Sequence, residues 1–478
     1  MLTGDRPDTA TNVAVAVRLI STEMRVIKLL DASILTSKEY AANVLRRELE
    51  TIQEKKSLQT ISTSPKGFVT NSIRRISNQF LRREGDDAWI DTTSPQRQKI
   101  ALVVNDAVVE AVKQFGLEYD FMRLCINADS VLCARVSPKQ KEFLVDMVRT
   151  QFPNKVTMAV GDGANDVPMI QRAHIGIGIA GEEGAQAADS SDYSIPQFRF
   201  LQKLVLVYGR WMHRRISVLT FYIFYKNVLL VLPQFIFGIY CLFSGQSTYF
   251  DPLLQIFNVA FTSLPILFFS VMDQDVSASI ILRFPRLYDD GPRHAFLNEG
   301  IFFSWILEAV VSSVLVTLVP SKLMFLVPWS STGKDTDLWS MGLAQFYTVV
   351  LLANARLFVE VSSHHLQVFS LALVSILGWW AITFFFQSTL SISREFYGIF
   401  HVGVLTQLGL CSLFCTVVSL LLVAVPKVYA MLFHPKPRTI CREIDYLDGE
   451  RPHQATGKVG VKQSDTPLRT PSSAKRTK

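Results

Sequence analysis

Val156-Thr157-Met158-Ala159-Val160-Gly161-Asp162-Gly163-Ala164-Asn165-Asp166-Val167-Pro168-Met169-Ile170 is the stretch on which the reading of this 478-residue chain turns. Val156 to Val160 is a short apolar run of the kind a buried strand requires. It ends in Gly161-Asp162-Gly163, and a helical pattern begins after Ala164-Asn165-Asp166. Glycines let the backbone turn tightly at the carboxyl end of a strand, the edge at which open α/β sheets bind ligands. Asp162 and Asp166 lie four positions apart across that turn, so both carboxylates can face one hard cation. Mg2+ takes a few carboxylates and completes its shell with waters and phosphate oxygens. Asn165 can donate to a phosphoryl oxygen. An Asp-Gly pair alone marks only a turn; the strand before it, the helix after it and the second carboxylate point to a phosphate site.

Working outward, the same texture fills the first ~200 residues, the scale of one domain or slightly more. Ala101-Leu102-Val103-Val104, Val131-Leu132-Cys133-Ala134 and Ile175-Gly176-Ile177-Gly178-Ile179 are further apolar runs, and Lys139 to Val148 reads as a helix between two of them. Near-continuous apolar strands fit a parallel sheet covered on both faces. Arg135-Val136-Ser137-Pro138-Lys139-Gln140-Lys141 follows one such strand, and a lysine in the first turn of the helix can neutralise a phosphate as a point charge. Thr3-Gly4-Asp5 is a third polar element. Residues 51–99 differ: Lys55-Lys56, Arg74-Arg75 and Arg82-Arg83 are interleaved with Ser and Thr, and the segment is expected to be a solvated basic insertion rather than a nucleic-acid surface.

Hydrophobic residues make up 49% of the chain and charged residues 19%, against about 25% charge in a soluble domain. The mean hydropathy is +0.25 and there are 33 Phe, which excludes a disordered chain and argues against a wholly soluble one. The six cysteines form no CxxC pair, so a disulfide scaffold or zinc ribbon is not expected. Met1 to Pro7 lack the positive-then-apolar order of a signal peptide. From Ile216 onward six apolar stretches are each long enough to cross a ~30 Å hydrocarbon core, which needs about 20 residues. They are placed at Ile216–Phe243, Leu253–Met272, Ile301–Pro320, Met341–Val361, Leu366–Gln387 and Phe400–Val425.

Lys and Arg at the span ends predict the orientation. With the first half cytosolic, Arg199, Lys203, Arg210, Arg214, Arg215, Arg283, Arg286, Arg293, Arg356, Lys427, Lys436, Arg438 and Arg442 fall inside, against Lys322, Lys334 and Arg394 outside. The tail after Val425 is rich in Pro, Ser, Thr and Lys and is expected to be disordered and cytosolic. The division that follows is 1–50, the start of the catalytic α/β unit; 51–100, the basic insertion; 101–205, its core; 206–425, the membrane bundle; and 426–478, the tail. Lys226 lies about ten residues into the first span, near mid-bilayer at ~1.5 Å per residue, and a charge there is a functional candidate. Neither of the first two spans holds an Asp or Glu, which disfavours a cation pump. Pro233 and Pro265 interrupt those spans and free backbone carbonyls. Glu308 and Arg356 are single charges without an assigned partner, and Trp379-Trp380 reads as lipid-facing bulk.

Thr3-Gly4-Asp5, Arg135 to Lys141 and Gly161 to Asp166 occur in the order found in the P-type ATPases, and this chain resembles that family. Gln197-Phe198-Arg199-Phe200-Leu201-Gln202, Gly209-Arg210-Trp211, Tyr225-Lys226-Asn227, Phe257-Asn258-Val259, Phe261-Thr262-Ser263-Leu264-Pro265 and Asp273-Gln274-Asp275-Val276 are similar to its phospholipid-flippase branch. The resemblance runs from Met1 to about Val425, apart from the insertion. It implies an α/β, haloacid-dehalogenase-like, Rossmann-like phosphorylation domain, incomplete here, followed by an α-helical bundle of six transmembrane spans, numbers five to ten of the family's ten.

The resemblance also implies an activity: ATP-driven movement of phospholipid from the exoplasmic to the cytosolic leaflet through a Mg-dependent aspartyl-phosphate cycle. Thr3, Gly4, Asp5, Arg135, Lys141, Asn165 and Asp166 would contact ATP or the transferred phosphoryl group. Asp162 and Asp166 would hold Mg2+, and Lys141, Asp162 and Asp166 would be the catalytic set. Lys226, Asn227 and Asn258 would lie on the lipid path. A small two-span accessory subunit is implied as partner, and plasma or Golgi/endosomal membranes as location. The family's Asp-Lys-Thr-Gly-Thr and Asp-Gly-Glu-Thr motifs do not occur in this sequence. The chain is therefore expected to be the C-terminal part of such a pump or, alternatively, a catalytically inactive truncated membrane protein that binds an accessory subunit or nucleotide.

Overall fold

The computed structural model describes residues 1–21, 23–61, 99–181, 185–326, 337–388, 397, 399–400 and 402–450. The chain divides into two compact units, Met1–Leu201 and Gln202–Lys478. In the first unit the order is α1 (Pro7–Ala16), β1 (Arg25–Leu29), α2 (Lys38–Ile61), β2 (Ile100–Val104), α3 (Asp106–Phe115), α4 (Glu118–Asn127), β3 (Ser130–Cys133), α5 (Pro138–Gln151), β4 (Met158–Gly161), α6 (Val167–Arg172), β5 (Ile175–Ile179) and β6 (Tyr193–Ile195). Two three-stranded parallel sheets result, β1-β2-β3 and β4-β5-β6. Every residue of β2 is buried, which is why that strand reads as an unbroken apolar run rather than an alternation. Leu2 adds a parallel bridge to Cys133 on the far side of β3.

The composition change at residue 51 is not a structural boundary, because α2 runs through it to Ile61. Its Leu45, Leu49 and Ile52 pack on the core at helical spacing, so the helix continues into the basic text. Residues 62–98, most of the expected insertion, lie outside the described residues.

Among the described residues the second unit holds six helices long and apolar enough to cross a membrane. A π-helical turn, Lys203–Gly209, leads into α7 (Arg210–Tyr240). Then come α8 (Asp251–Ile256), a π-helical turn Phe257–Phe261 and α9 (Ser263–Met272), which together make the second crossing. The rest are α10 (Glu299–Leu326), α11 (Leu338–Glu360), α12 (His365–Ser388) and α13 (Val402–Phe433), followed by α14 (Pro437–Glu450). Helix α11 is the central one: 78% of its apolar stretch is buried, against 50% or less elsewhere. Gly342 on α11 permits this closeness, since a Cβ there would stand 1.7 Å from the Thr248 carbonyl oxygen.

Three expectations are corrected here. The first helix begins well before Ile216, because Arg210, Arg214 and Arg215, which end the apolar run, are buried and bonded within the unit. The tail is helical to Glu450 rather than disordered from residue 426. Cys441 and Ile444 of α14 pack with Trp211, Val276 and Ile280, and Asp445 accepts from the Ser277 amide at 2.8 Å and its hydroxyl at 2.6 Å. Residues 451–478 lie outside the described residues. Trp379 is fully buried rather than lipid-facing, with its ring 4.4 Å from that of Tyr347.

Candidate functional site

In the first unit the site forms where strands end. Backbone bonds zip Met1–Asp5 along β3: Thr3 N donates to the Cys133 carbonyl at 3.0 Å, and Arg135 N to that of Asp5 at 3.0 Å. Thr3, Gly4 and Asp5 are thereby set beside Arg135 at the carboxyl end of the strand. The Thr3 hydroxyl donates to the Asp5 carboxylate at 3.1 Å, and Asp5 N donates to that hydroxyl at 3.2 Å. Arg135 has a left-handed backbone (φ 58°), an unusual conformation for a residue with a Cβ, and its side chain is exposed.

The turn places Ser137 to start α5. Its side chain caps the helix, Gln140 reciprocates, and Pro138 occupies the first turn, where no amide proton is needed. Lys141 then follows at a fixed position. It is 8% exposed, and its Nζ donates to the Asp166 carboxylate at 2.7 Å. Asp166 comes from the opposite side, at the end of a 3-10 turn, Ala164–Asp166, beyond β4. Its Cβ presses on Gly161, where any side chain would meet it at 2.3 Å. The glycine is thus required for the carboxylate to fold back over the strand end. Asp162 and Asn165 are exposed on the same turn.

Two carboxylates, one held by a lysine and one open, suit Mg2+ that completes its shell with waters and phosphate oxygens. Among the described residues there is no group of three or more His, Cys, Asp or Glu that could hold a metal ion. The structure thus joins Lys141 to Asp166, and Thr3 and Asp5 to the Arg135 turn.

The second unit has a different polar core. Lys226 is 6% exposed, and its Nζ donates to the Thr262 hydroxyl at 2.9 Å; no carboxylate pairs with it among the described residues. Asn227, next to it, and Asn258, in the π-turn, are exposed, whereas Lys226 is buried. Thr262 bonds on to the Phe257 carbonyl at 3.2 Å.

Glu308 and Arg356, unassigned from sequence, are partners at 2.6 Å; Arg356 also reaches Glu360 at 2.8 Å and lies 3.7 Å over the Trp305 ring. At the start of α7, Arg210 grips Asp275 through two bonds of 2.7 and 2.8 Å. Burial raises the Asp275 carboxyl, and the Arg210 bonds and charge more than offset that, so it sits below its ordinary value. Asp273 takes Arg214 and accepts from the amides of Ser362 and Ser363, both at 2.9 Å. Sequence reasoning met these arginines and aspartates as separate motifs about 60 residues apart. Opposite charge flanking a loop was the signal that could have joined them.

Comparison with known proteins bears on both units. The family described as phospholipid-translocating P-type ATPase C-terminal matches residues 188–436, and the haloacid dehalogenase-like hydrolase family matches residues 93–174. Phospholipid-transporting ATPase 6 of Arabidopsis thaliana is 34% identical over 362 residues, 76% of this chain and 27% of that protein. Phospholipid-transporting ATPase ID of Homo sapiens is 34% identical over 322 residues, 67% of this chain and 25% of that protein. The chain thus spans about a quarter of the length of these relatives.

Proposed function

Because this chain belongs to the phospholipid-translocating P-type ATPases, we propose that it forms the phosphate-binding and lipid-path portion of an ATP-driven phospholipid flippase. Lipid would move from the exoplasmic to the cytosolic leaflet. The observation that carries this reading is the pairing in one chain of a Lys141–Asp166 phosphate site with a buried, carboxylate-free Lys226 among six apolar helices.

At the first site Lys141 would place a point charge against the transferred phosphoryl group, and Asp166 holds that ammonium in position. Thr3, Gly4, Asp5 and Arg135 would line the nucleotide side, and Asn165 would donate to a phosphoryl oxygen. Mg2+ would be held by Asp162 and Asp166 and would neutralise phosphate charge when bound. The aspartate that accepts the phosphoryl group is not among these residues.

In the second unit the Lys226 ammonium, costly to bury alone, would find an anionic partner in a lipid phosphate or carboxylate. Asn227 and Asn258 would meet lipid on the outer faces of their helices. The Lys and Arg distribution supports a cytosolic first unit and a cytosolic α14. A two-span accessory subunit would contact the opposite side, in plasma or Golgi/endosomal membranes.

The test uses the full chain in nanodiscs. Mg2+-dependent binding of radiolabelled ATP and photo-labelling by a diazirine-bearing phosphatidylserine are measured in one preparation. Asp166→Asn should abolish the first and spare the second, and Lys226→Ala should do the reverse. Retention of both signals in both variants would overturn the reading.

A further inference from the structure

The second crossing is broken in a way that leaves one carbonyl to be satisfied from outside. In a continuous helix the Phe261 carbonyl would accept from the amide four residues on. That residue is Pro265, which has no amide proton. The π-turn Phe257–Phe261 ends here, and Thr262 leaves helical geometry with φ −132°. Asn354, on the central helix α11, supplies the missing donor: its Nδ2 gives one proton to the Phe261 carbonyl at 3.1 Å and the other to the Val350 carbonyl at 2.9 Å. Both acceptors are carbonyl oxygens, so the nitrogen must be the end of the amide that faces them. Asn354 is 3% exposed, and its Oδ1, also buried, has no hydrogen-bond partner among the described residues. The bonds that fix this amide are the two that its Nδ2 protons make.

Those donors act one residue from the Lys226 contact. The next residue after Phe261 is Thr262, whose hydroxyl accepts from Lys226 Nζ and donates to the Phe257 carbonyl. Asn354 thus ties down the end of the π-turn on which the only hydrogen-bond acceptor of Lys226 is mounted, among the described residues. Without that tie the Phe261 carbonyl would seek another donor, and Thr262 would turn with it.

We propose that Asn354 is a positioning residue for the lipid path: through the Phe261 carbonyl it fixes Thr262, and through Thr262 it aims the Lys226 ammonium. The proposal rests on the reading of Lys226 as a headgroup contact.

The experiment measures photo-labelling of the full chain in phosphatidylcholine nanodiscs by diazirine-bearing phosphatidylserine of increasing mole fraction. Lys226→Ala, Thr262→Val, Asn354→Leu and the Thr262→Val/Asn354→Leu pair are compared. Leu repeats the branching of Asn, with two heavy atoms on Cγ, and removes the orphaned Oδ1, so folding should survive the modest gain in volume. Asn354→Leu should raise the half-saturating mole fraction roughly twofold to tenfold, the scale of one hydrogen bond. Thr262→Val should do the same without altering α11, and the pair should be no worse than the weaker-binding single variant. Hydrogen exchange should quicken in residues 257–264 of Asn354→Leu and stay unchanged in the other helices. Wild-type labelling by Asn354→Leu while Lys226→Ala is impaired would overturn the positioning role alone. Fully additive losses in the pair, or faster exchange throughout the bundle, would also overturn it, by making Asn354 an ordinary structural contact. Wild-type labelling by Lys226→Ala would overturn the lipid-path reading and this inference together.

Discussion

Each unit buries a lysine, and the two are held in opposite ways. Lys141 meets a carboxylate at the edge of a sheet, and the pair closes over a glycine turn that is open to solvent on its other side. Lys226 meets a hydroxyl and, 5.9 Å away, the face of the Tyr222 ring, with no carboxylate among the described residues, in the interior of an apolar bundle. The first arrangement is balanced as it stands, each charge neutralised by the other. The second holds an unneutralised cation where solvation is poorest, so any anion that reaches it is strongly favoured. The bundle is not short of carboxylates. Asp273, Asp275, Glu308 and Glu360 are all engaged, and each is committed to an arginine or Lys427. Charge pairing is the rule in this unit; among its described buried lysines and arginines only Lys226 and Arg215 form no ion pair, and Arg215 donates to the Asp273 carbonyl instead.

The comparison can be broken first at its strongest pair. Asp273→Ala leaves Arg214 without its carboxylate and the Ser362 and Ser363 amides without their acceptor. A stability loss of about 3–5 kcal/mol is expected, read as unfolding of the detergent-solubilised chain. A loss below 1 kcal/mol would mean that the paired charges are not what holds that end of the bundle together.

Next in size is Lys141→Met, which strands Asp166 half-buried and should cost about 1–3 kcal/mol. Adding Asp166→Asn should recover part of that loss, with a coupling of about 0.5–3 kcal/mol in a double-mutant cycle. Additive effects would show that the two groups do not depend on each other.

Lys226→Met should behave unlike Lys141→Met. It removes a cation that lacks a carboxylate, keeps an unbranched apolar chain and leaves Thr262 bonded to the Phe257 carbonyl. Its unfolding free energy should stay within about 1.5 kcal/mol of the parent or rise. A loss as large as that of Lys141→Met would erase the contrast and point to a structural Lys226.

The smallest effect concerns Cys133, at the end of β3. Burial pushes its thiol up to about 11, from an ordinary value of 9.0. A raised folded value stabilises the native state below the ordinary value, and that contribution is lost as pH rises from about 9 towards 11. Iodoacetamide at pH 8 should therefore spare Cys133 in the native chain and modify it after denaturation. Rapid native labelling at that residue would show that the strand end opens.

Local chemistry made much of this legible. Val156 to Ile170 reads as strand, turn and helix because each element has its own short-range signal, and Ser137-Pro138 announces α5 through capping alone. The six crossings are legible because apolar length is a property of sequence. Their ends are not legible where charged residues lie inside a helix: Arg210 and Arg214 stop a hydropathy run but not α7, since their partners Asp275 and Asp273 arrive from about 60 residues away. Helix α14 was hidden for the same reason, because Asp445 and Cys441 are polar text until the Ser277 region packs against them.

By itself, the sequence determined the α/β character of the first unit, the apolar length of the six crossings among the described residues, the strand, turn and helix around Gly161 to Asp166, and the placement of a lysine inside an apolar stretch. These depend on residue type and on neighbours within a few positions. Only the tertiary structure decided that Lys141 joins Asp166, that Trp379 turns inward, that Lys226 rests on Thr262, and that Asn354 answers the carbonyl freed by Pro265. Each of those is a meeting of residues 25 to 93 positions apart. The physical reason is that a buried polar group must find a partner, and the chain's composition says how many such groups there are without saying which fold brings them together.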